Sequence, residues 1–469
     1  MTPRPPAGFG SLALAALDAT PDRTALRQGS AELTYAQVRA QVQALVVRLA
    51  ELGLRPGDTL VQLRGNDLWQ WVVSVACAVA GIRSCSIPAT LPAGEVTERI
   101  TPAAPALVVT DDVSAATGFR TITLTDLMAG TTTRPTAAEP DHEPGRIVRL
   151  AFTSGTGGPP KGVELSAAAM GAVAAACADA VPWPPTPTVI CAESVSGGFG
   201  NMVLPTLMHG GTVVLPAPGE TLPGLLNADP GAVLLVMPPT LRALLADRTL
   251  SPAPPALLVY SGDTLTAEEI DRIHRWAGPV LCGVYGQVEV PKTIAINLPE
   301  HHLHPQRAGA LGRPFPGTDW RVVDLDGRDV PAGQPGELWV RSASVLTGYA
   351  FPATAAPPFS GDWLRTGDIC RVVEGYAFHE GRIEDVLARR PALVCPAPIE
   401  RHLGTGSIAL LPGRVDGSVV AVTTSAADTE AAREELSAFG LTLERSVDVD
   451  TIPRTWMGRI DRRRLRSLL

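Results

Sequence analysis

Residues 153–162 read TSGTGGPPKG and gather, in one short stretch, the residue types that hold a chain of phosphates. Gly155, Gly157 and Gly158 let backbone N–H groups approach an anion closely. Thr153, Ser154 and Thr156 bring hydroxyls that donate to phosphate oxygens, and Lys161 adds a mobile positive charge. A solvated Gly/Pro turn is the plain alternative, and the combination of residue types weighs against it. The spacing differs from the P-loop GxxxxGK[ST], because Gly162 follows Lys161 and supplies no hydroxyl for magnesium. Lys161 and Lys292 are the only lysines among 39 basic residues, so a lysine kept in this arginine-rich chain is informative.

The elements that must position this loop follow from periodicity. Val38, Val42, Leu45, Val46 and Leu49 recur at helical spacing within 34–54, and 60–63 reads as a short strand. A second helix over 69–80 precedes a strand at 84–87. Strand candidates continue at 106–110, 147–152, 212–215, 233–236 and 257–260, an alternation that indicates parallel α/β layers. After about Arg313 the texture changes to short runs at 320–323 and 337–340, broken by Gly and Pro. Strand candidates at 408–411 and 419–423, followed by a helix over 428–439, are enough for a small separate domain. The predicted class is α/β, with a large N-terminal domain (1–383) of layered α/β subdomains plus a β-rich subdomain from about 313. A small α+β C-terminal domain (384–469) follows.

Composition narrows the partners. A chain of 469 residues, 45% of them hydrophobic, can bury a sizeable core. The net charge of -8, with no basic cluster before the last few residues, argues against nucleic acid and for small-molecule chemistry. The seven cysteines are scattered and form no CxxC pair, which predicts a reducing, cytoplasmic setting. No apolar run reaches the roughly eighteen residues of a membrane span, and the one near the N-terminus is too short for a secretion signal.

The 153–162 loop closely resembles the signature loop TSGTTGxPKG of the adenylate-forming superfamily, which includes acyl-CoA synthetases, luciferases and peptide-synthetase adenylation domains. Further motifs are similar to those of that family, in its order. SGDTL at 261–265 sits where the family places an adenine-side loop, YGQVE at 285–289 resembles YGxTE, and GELWVRSASVLTGY spans 336–349. WLRTGD at 363–368, GRIED at 381–385 and PRTWMGRIDR at 453–462 complete the set.

The resemblance implies that ATP and Mg2+ are used. By that likeness Thr153, Ser154, Gly155, Thr156, Gly157, Gly158 and Lys161 hold phosphates, and Gly262, Asp263, Gly286 and Gln287 line the nucleotide. The Tyr285 ring stacks on adenine, Glu289 coordinates magnesium, Asp368 binds the ribose hydroxyls, Arg382 contacts the nucleotide and Glu384 is the hinge of a mobile C-terminal domain. The implied catalytic set is Lys161, Glu289 and Arg459, the last standing where the family has lysine. The implied reaction is attack of a carboxylate on the α-phosphate of ATP, giving an acyl adenylate and pyrophosphate. Transfer to a thiol follows, from coenzyme A or a phosphopantetheine-bearing acyl carrier protein.

Glu193, Val195, Gly197, Gly198, Gly283 and Val284 are candidates for the acyl pocket, and GFGNMV at 198–203 reads as a pocket-lining loop because it lacks a third glycine. A surface role for Glu193 stays open beside that of holding a substrate amine. Ala388 and Pro391 stand where the family commonly has Lys and Gly beside the pantetheine channel, and Pro there removes an N–H. Two alternatives stay open: adenylation with transfer to an amine, motivated by Ala388 and Pro391, and a nucleotide-binding protein that no longer catalyses, motivated by Arg459 and by Val288 where the family has Thr.

Overall fold

The computed structural model describes residues 7–129, 143–153, 160–246, 252–352, 358–389, 393–404, 406–455 and 460–468. The helix Tyr35–Glu51 forms where the apolar spacing predicts it, with Val38, Val42, Leu45 and Leu49 buried on one face. Thr34 and Gln37 cap its N-terminus reciprocally. The helix Leu68–Val79 begins at Asp67, whose carboxylate accepts from the Trp69 and Gln70 N–H groups.

Parallel strands Thr59–Arg64, Arg83–Pro88, Leu107–Val109 and Ile147–Phe152 make the centre of a seven-stranded sheet. Gly162–Ser166 turns back antiparallel on Ile147–Phe152, and Gly348–Phe351 adds beside it at the sheet edge. A chain segment distant in sequence is thereby brought next to Lys161.

The second sheet contains parallel strands Thr188–Cys191, Thr212–Leu215, Val233–Val236, Leu257–Tyr260 and Leu281–Tyr285. Val233–Val236 and Leu257–Tyr260 are buried along their whole length, which is why they read as unbroken apolar runs. From Tyr285 the sheet continues through antiparallel Ala295–Asn297 and Ala310–Pro314 into Thr318–Val323, Gly336–Ser342, Trp363–Val373 and Tyr376–Arg382. Pairing within this 14-stranded sheet thus turns antiparallel from Ala295–Asn297 onward, before the change of texture near Arg313.

Strands Ile408–Pro412, Ser418–Thr423 and Thr442–Asp448 form a third, three-stranded sheet. It packs with helices Pro396–Leu403 and Ala426–Ala438 around a core that includes Ile399, Leu410, Ala421 and Leu436. Among the described residues no strand after Arg382 joins either larger sheet. All seven cysteines are buried and free, and burial pushes thiols such as Cys77 and Cys85 up to about 12. Among the described residues no helix is long and apolar enough to cross a membrane.

Candidate active site

Two hydrogen bonds tie together Thr153 and Lys161, on either side of the Gly-rich segment. Thr153 N–H donates to the Lys161 carbonyl at 3.1 Å, and Lys161 N–H donates to Thr153 Oγ1 at 3.0 Å. These bonds hold Lys161 at the mouth of the loop; Ser154, Gly155, Thr156, Gly157 and Gly158 lie outside the described residues. Lys161 is exposed, and its Nζ stands 4.9 Å from the centre of the Tyr349 ring. The Tyr349 hydroxyl in turn donates to Glu289 Oε1 at 2.9 Å. Burial first, and then the Glu289 carboxylate, push the Tyr349 phenol up, so it remains a donor. Leu346 N–H completes the tie by donating to the Glu289 carbonyl at 2.8 Å.

Glu289 sits on a tight turn that begins at the end of Leu281–Tyr285. Gln287 and Val290 exchange backbone hydrogen bonds, and Ile294 N–H donates to the Tyr285 carbonyl at 2.9 Å. Gly286 is required by this closeness: a β-carbon there would lie 2.2 Å from the Lys292 nitrogen and 2.5 Å from the Val290 oxygen.

Asp368 anchors the other side. It lies in Trp363–Val373 and is 5% exposed. Tyr285 Oη donates to its Oδ2, as does Gln287 Nε2 at 2.5 Å. On Oδ1, Arg382 donates at 2.7 Å, with His379 Nε2 at 3.3 Å. Burial by itself would raise the Asp368 carboxyl, but the Arg382 guanidinium, with hydrogen bonds from His379 and Tyr285, holds it well below the usual carboxylate range. It is a fixed anion. Gly367 precedes it with φ +69°, a left-handed conformation that favours glycine, and a β-carbon there would press on the Arg382 guanidinium at 3.2 Å. Glu337, 3% exposed, accepts from Gly367 N–H and from Arg365, holding the bend from behind.

One turn, from Tyr285 to Glu289, therefore joins a buried anion at Asp368 to a chain of contacts ending at the Lys161 ammonium. A profile of the family described as AMP-binding enzyme matches residues 14–350. The chain belongs to that family. The chain is 28% identical to a probable non-canonical nonribosomal peptide synthetase, CymA, of Salinispora arenicola, over 93% of its own length and 6% of that protein. It is 26% identical to a feruloyl-CoA synthase of Amycolatopsis over 84% of its length and 83% of that protein. Among solved structures, the amide bond synthetase McbA of Marinactinospora thermotolerans superposes with a TM-score of 0.84 at 25% identity. That match covers 98% of this chain and 99% of the other. The chain spans 6% and 38% of two large synthetases it matches, so it is far shorter than either.

The remaining predicted residues divide by what they touch. Asp263 pairs with Arg242 at 3.6 Å, next to Gly262 with φ +101°. Val195 is buried, and its N–H donates to Asn66 Oδ1 at 2.9 Å; Gly197 and Gly198 are exposed. Val284 is buried. The Glu193 carboxylate accepts from Met237 N–H at 2.9 Å, so in this structure it caps the approach to the helix Pro238–Ala246. The space over Gly283 is taken by the Tyr260 ring, which a β-carbon would meet at 2.9 Å. Glu384 accepts from Arg382 at 3.4 Å in the turn Ile383–Asp385. Pro391 and Arg459 lie outside the described residues; Ala388 is buried and bridges to Val394.

The sequence reading gives Tyr349, His379 and Lys292 no role. Tyr349 closes the 336–349 motif, and Lys292 is one of only two lysines, so both carried a signal. His379 carried none, because its approach to Asp368 depends on strand register.

Proposed function

We propose that this chain activates a carboxylic acid with ATP, forming an acyl adenylate and pyrophosphate, and then passes the acyl group to an acceptor. The carrying observation is the single turn that holds Tyr285 and Gln287 on Asp368 and Glu289 on Tyr349 beside Lys161. Carboxylate and triphosphate are both anions, so cations must offset their repulsion and align the attack. Lys161 and the residues 153–158 serve the phosphates, with Arg459 as the second cation. Asp368 receives the ribose hydroxyls, Tyr285 stacks on the base, and Gly262, Asp263, Gly286, Gln287 and Arg382 complete the nucleotide site. Asp368 would exchange part of its present hydrogen bonding for those hydroxyls.

Magnesium fits the donor set. Among the described residues no three His, Cys, Asp or Glu side chains converge on a point. An ion held by Glu289 would depend on phosphate oxygens for its other ligands, the habit of Mg2+, which takes one or two carboxylates and keeps water. Bound there, it would neutralise phosphate charge.

Val195, Gly197, Gly198 and Val284 are the acyl-pocket residues this reading retains. The reading sets the domain boundary near Glu384, which is supported by the ion pair at 2.5 Å that ties Asp385 to Arg466 of the C-terminal helix Arg462–Arg466. The segment after the hinge would thus travel with residues 384–469.

A thiol, of coenzyme A or an acyl carrier protein, is the first acceptor, in line with feruloyl-CoA synthase and the peptide synthetase among the relatives. An amine is the second, favoured by the end-to-end likeness to an amide bond synthetase. Pyrophosphate exchange into ATP across a panel of carboxylic acids tests the core reading. Measurable ATP binding without exchange for any acid would overturn it. Where exchange occurs, mass analysis with coenzyme A, a carrier protein and amines assigns the acceptor.

A further inference from the structure

Arg149 lies in the strand Ile147–Phe152, which runs into the phosphate loop, and reaches across to the turn Gly198–Met202. Its half-buried guanidinium donates to Asn201 Oδ1 at 2.7 Å and to the Ser196 carbonyl at 3.4 Å. Both acceptors are neutral, and among the described residues no carboxylate pairs with Arg149. Loss of water around it pulls the guanidinium below its ordinary value, and its charge is felt at the Cys85 thiol, which burial pushes up and Arg149 pulls back. A desolvated cation is thus left without a counter-charge.

Arg149 lines a cavity of about 40 Å³ with Gln70, Trp71, Ser84, Val195 and Asn201, which gives room for a group of carboxylate size. Two of these side chains hold buried polar atoms that find no partner among the described residues. They are Trp71 Nε1, in a residue 6% exposed, and Gln70 Oε1, in one 2% exposed. Water satisfies hydrogen bonds in such a cavity but brings no charge, and a desolvated charge without an opposite one is costly. An anion answers both demands, accepting from the Arg149 guanidinium and from the Trp71 indole N–H in bonds strengthened by charge. Gln70 Oε1, an acceptor, then serves a water beside the anion.

We infer that this cavity is a binding site for a compact monovalent anion of carboxylate or halide size, held between Arg149 and Trp71. The anion braces the strand that enters the phosphate loop against the segment 195–201. Two sources share this chemistry. One is a free anion such as formate or chloride. The other is the remote carboxylate of a dicarboxylic acid, since Val195 belongs both to this cavity and to the acyl pocket of the adenylation reading. The site stands apart from that reading, and only the second source rests on it.

Thermal unfolding of the full chain tests the site. Sodium formate and sodium chloride are compared with sodium gluconate at equal ionic strength, gluconate being too large for the cavity. The native chain is expected to gain about 2 °C or more in Tm at saturating formate. Arg149→Met should lose this gain, and Arg149→Lys should keep part of it. Trp71→Phe, which retains a ring without the donor, should weaken the affinity for formate about tenfold. No gain over gluconate in the native chain, or an equal gain in Arg149→Met, would overturn the inference and leave the cavity to water only. Should Arg149→Met fail to fold, Trp71→Phe decides, since native affinity for formate in that variant overturns the inference as well. Calorimetry of glutarate against pentanoate, and of adipate against hexanoate, then assigns the source. A preference of about tenfold for the dicarboxylic acid, abolished by formate and missing in Arg149→Met, assigns the substrate. Equal binding within each pair, with the formate response unchanged, assigns a free anion. Absence of pyrophosphate exchange with every acid would sink the adenylation reading instead, and the formate comparison would still decide the cavity.

Discussion

The Tyr349 hydroxyl donates to Glu289 Oε1 at 2.9 Å while the face of the same ring lies 4.9 Å from the Lys161 ammonium. One side chain, brought in by an edge strand, thus aligns a carboxylate and a lysine that belong to different sheets. Tyr349→Phe keeps the ring and removes the donor. Pyrophosphate exchange should fall about tenfold, corresponding to ~1.4 kcal/mol for a lost hydrogen bond to a charged group, with a higher requirement for Mg2+. Unchanged exchange and Mg2+ dependence would show that Glu289 needs no such positioning.

Lys161 is exposed at the loop mouth, so it can be removed at little structural cost. Lys161→Ala should lower exchange on the order of 100-fold while thermal stability moves by less than about 0.5 kcal/mol. Arg459→Lys should leave adenylation intact or improve it. A collapse of exchange in that variant would assign the planar guanidinium a task of its own.

Gly286→Ala forces a β-carbon against the Lys292 nitrogen and the Val290 oxygen, both backbone atoms that cannot rotate away. Chemical denaturation should register a loss of about 1–3 kcal/mol, and exchange should fall further because the turn that carries Glu289 shifts. Gly94→Ala is the control: nothing lies within 4 Å of the added carbon in the helix Ala93–Ala103, and stability should hold or rise by up to ~1 kcal/mol.

His302 carries a pH dependence. Its Nε2 lies 2.9 Å from Tyr260 Oη and its Nδ1 2.9 Å from the Leu298 carbonyl, and burial pulls the imidazole down to about 4. Since the folded value lies below the unfolded value near 6.5, the unfolded chain binds the extra proton first. The contribution is therefore whole above about pH 6.5 and declines as pH falls toward 4. Urea denaturation between pH 7 and 4.5 should show a stability loss that is shallower in His302→Gln. Asp368, held far below the carboxylate range, should add no pH dependence above about pH 5, since its contribution is lost only as pH falls through the unfolded value near 3.9 and below.

Much of the fold was legible because the elements are locally consistent. Apolar spacing placed Tyr35–Glu51 and Leu68–Val79, and unbroken apolar runs placed Val233–Val236 and Leu257–Tyr260. What periodicity could not carry was pairing. Gly162–Ser166 gives no strand signal, because its five residues lie too close to the Gly/Pro stretch for a pattern to emerge. Glu193 and Gly283 meet the Met237 N–H and the Tyr260 ring, and no spacing within either segment announces such distant partners.

The residue types of the phosphate loop and the order of the motifs, and hence the family, are properties of short contiguous stretches and can be read along the chain. Which motif meets which depends on how the strands pair. Sheet register set Asp368 opposite Arg382, and edge pairing of Gly348–Phe351 with Gly162–Ser166 set Tyr349 between Lys161 and Glu289. The physical reason is that hydrogen-bonded pairing between strands far apart in the chain leaves no periodic trace in either strand.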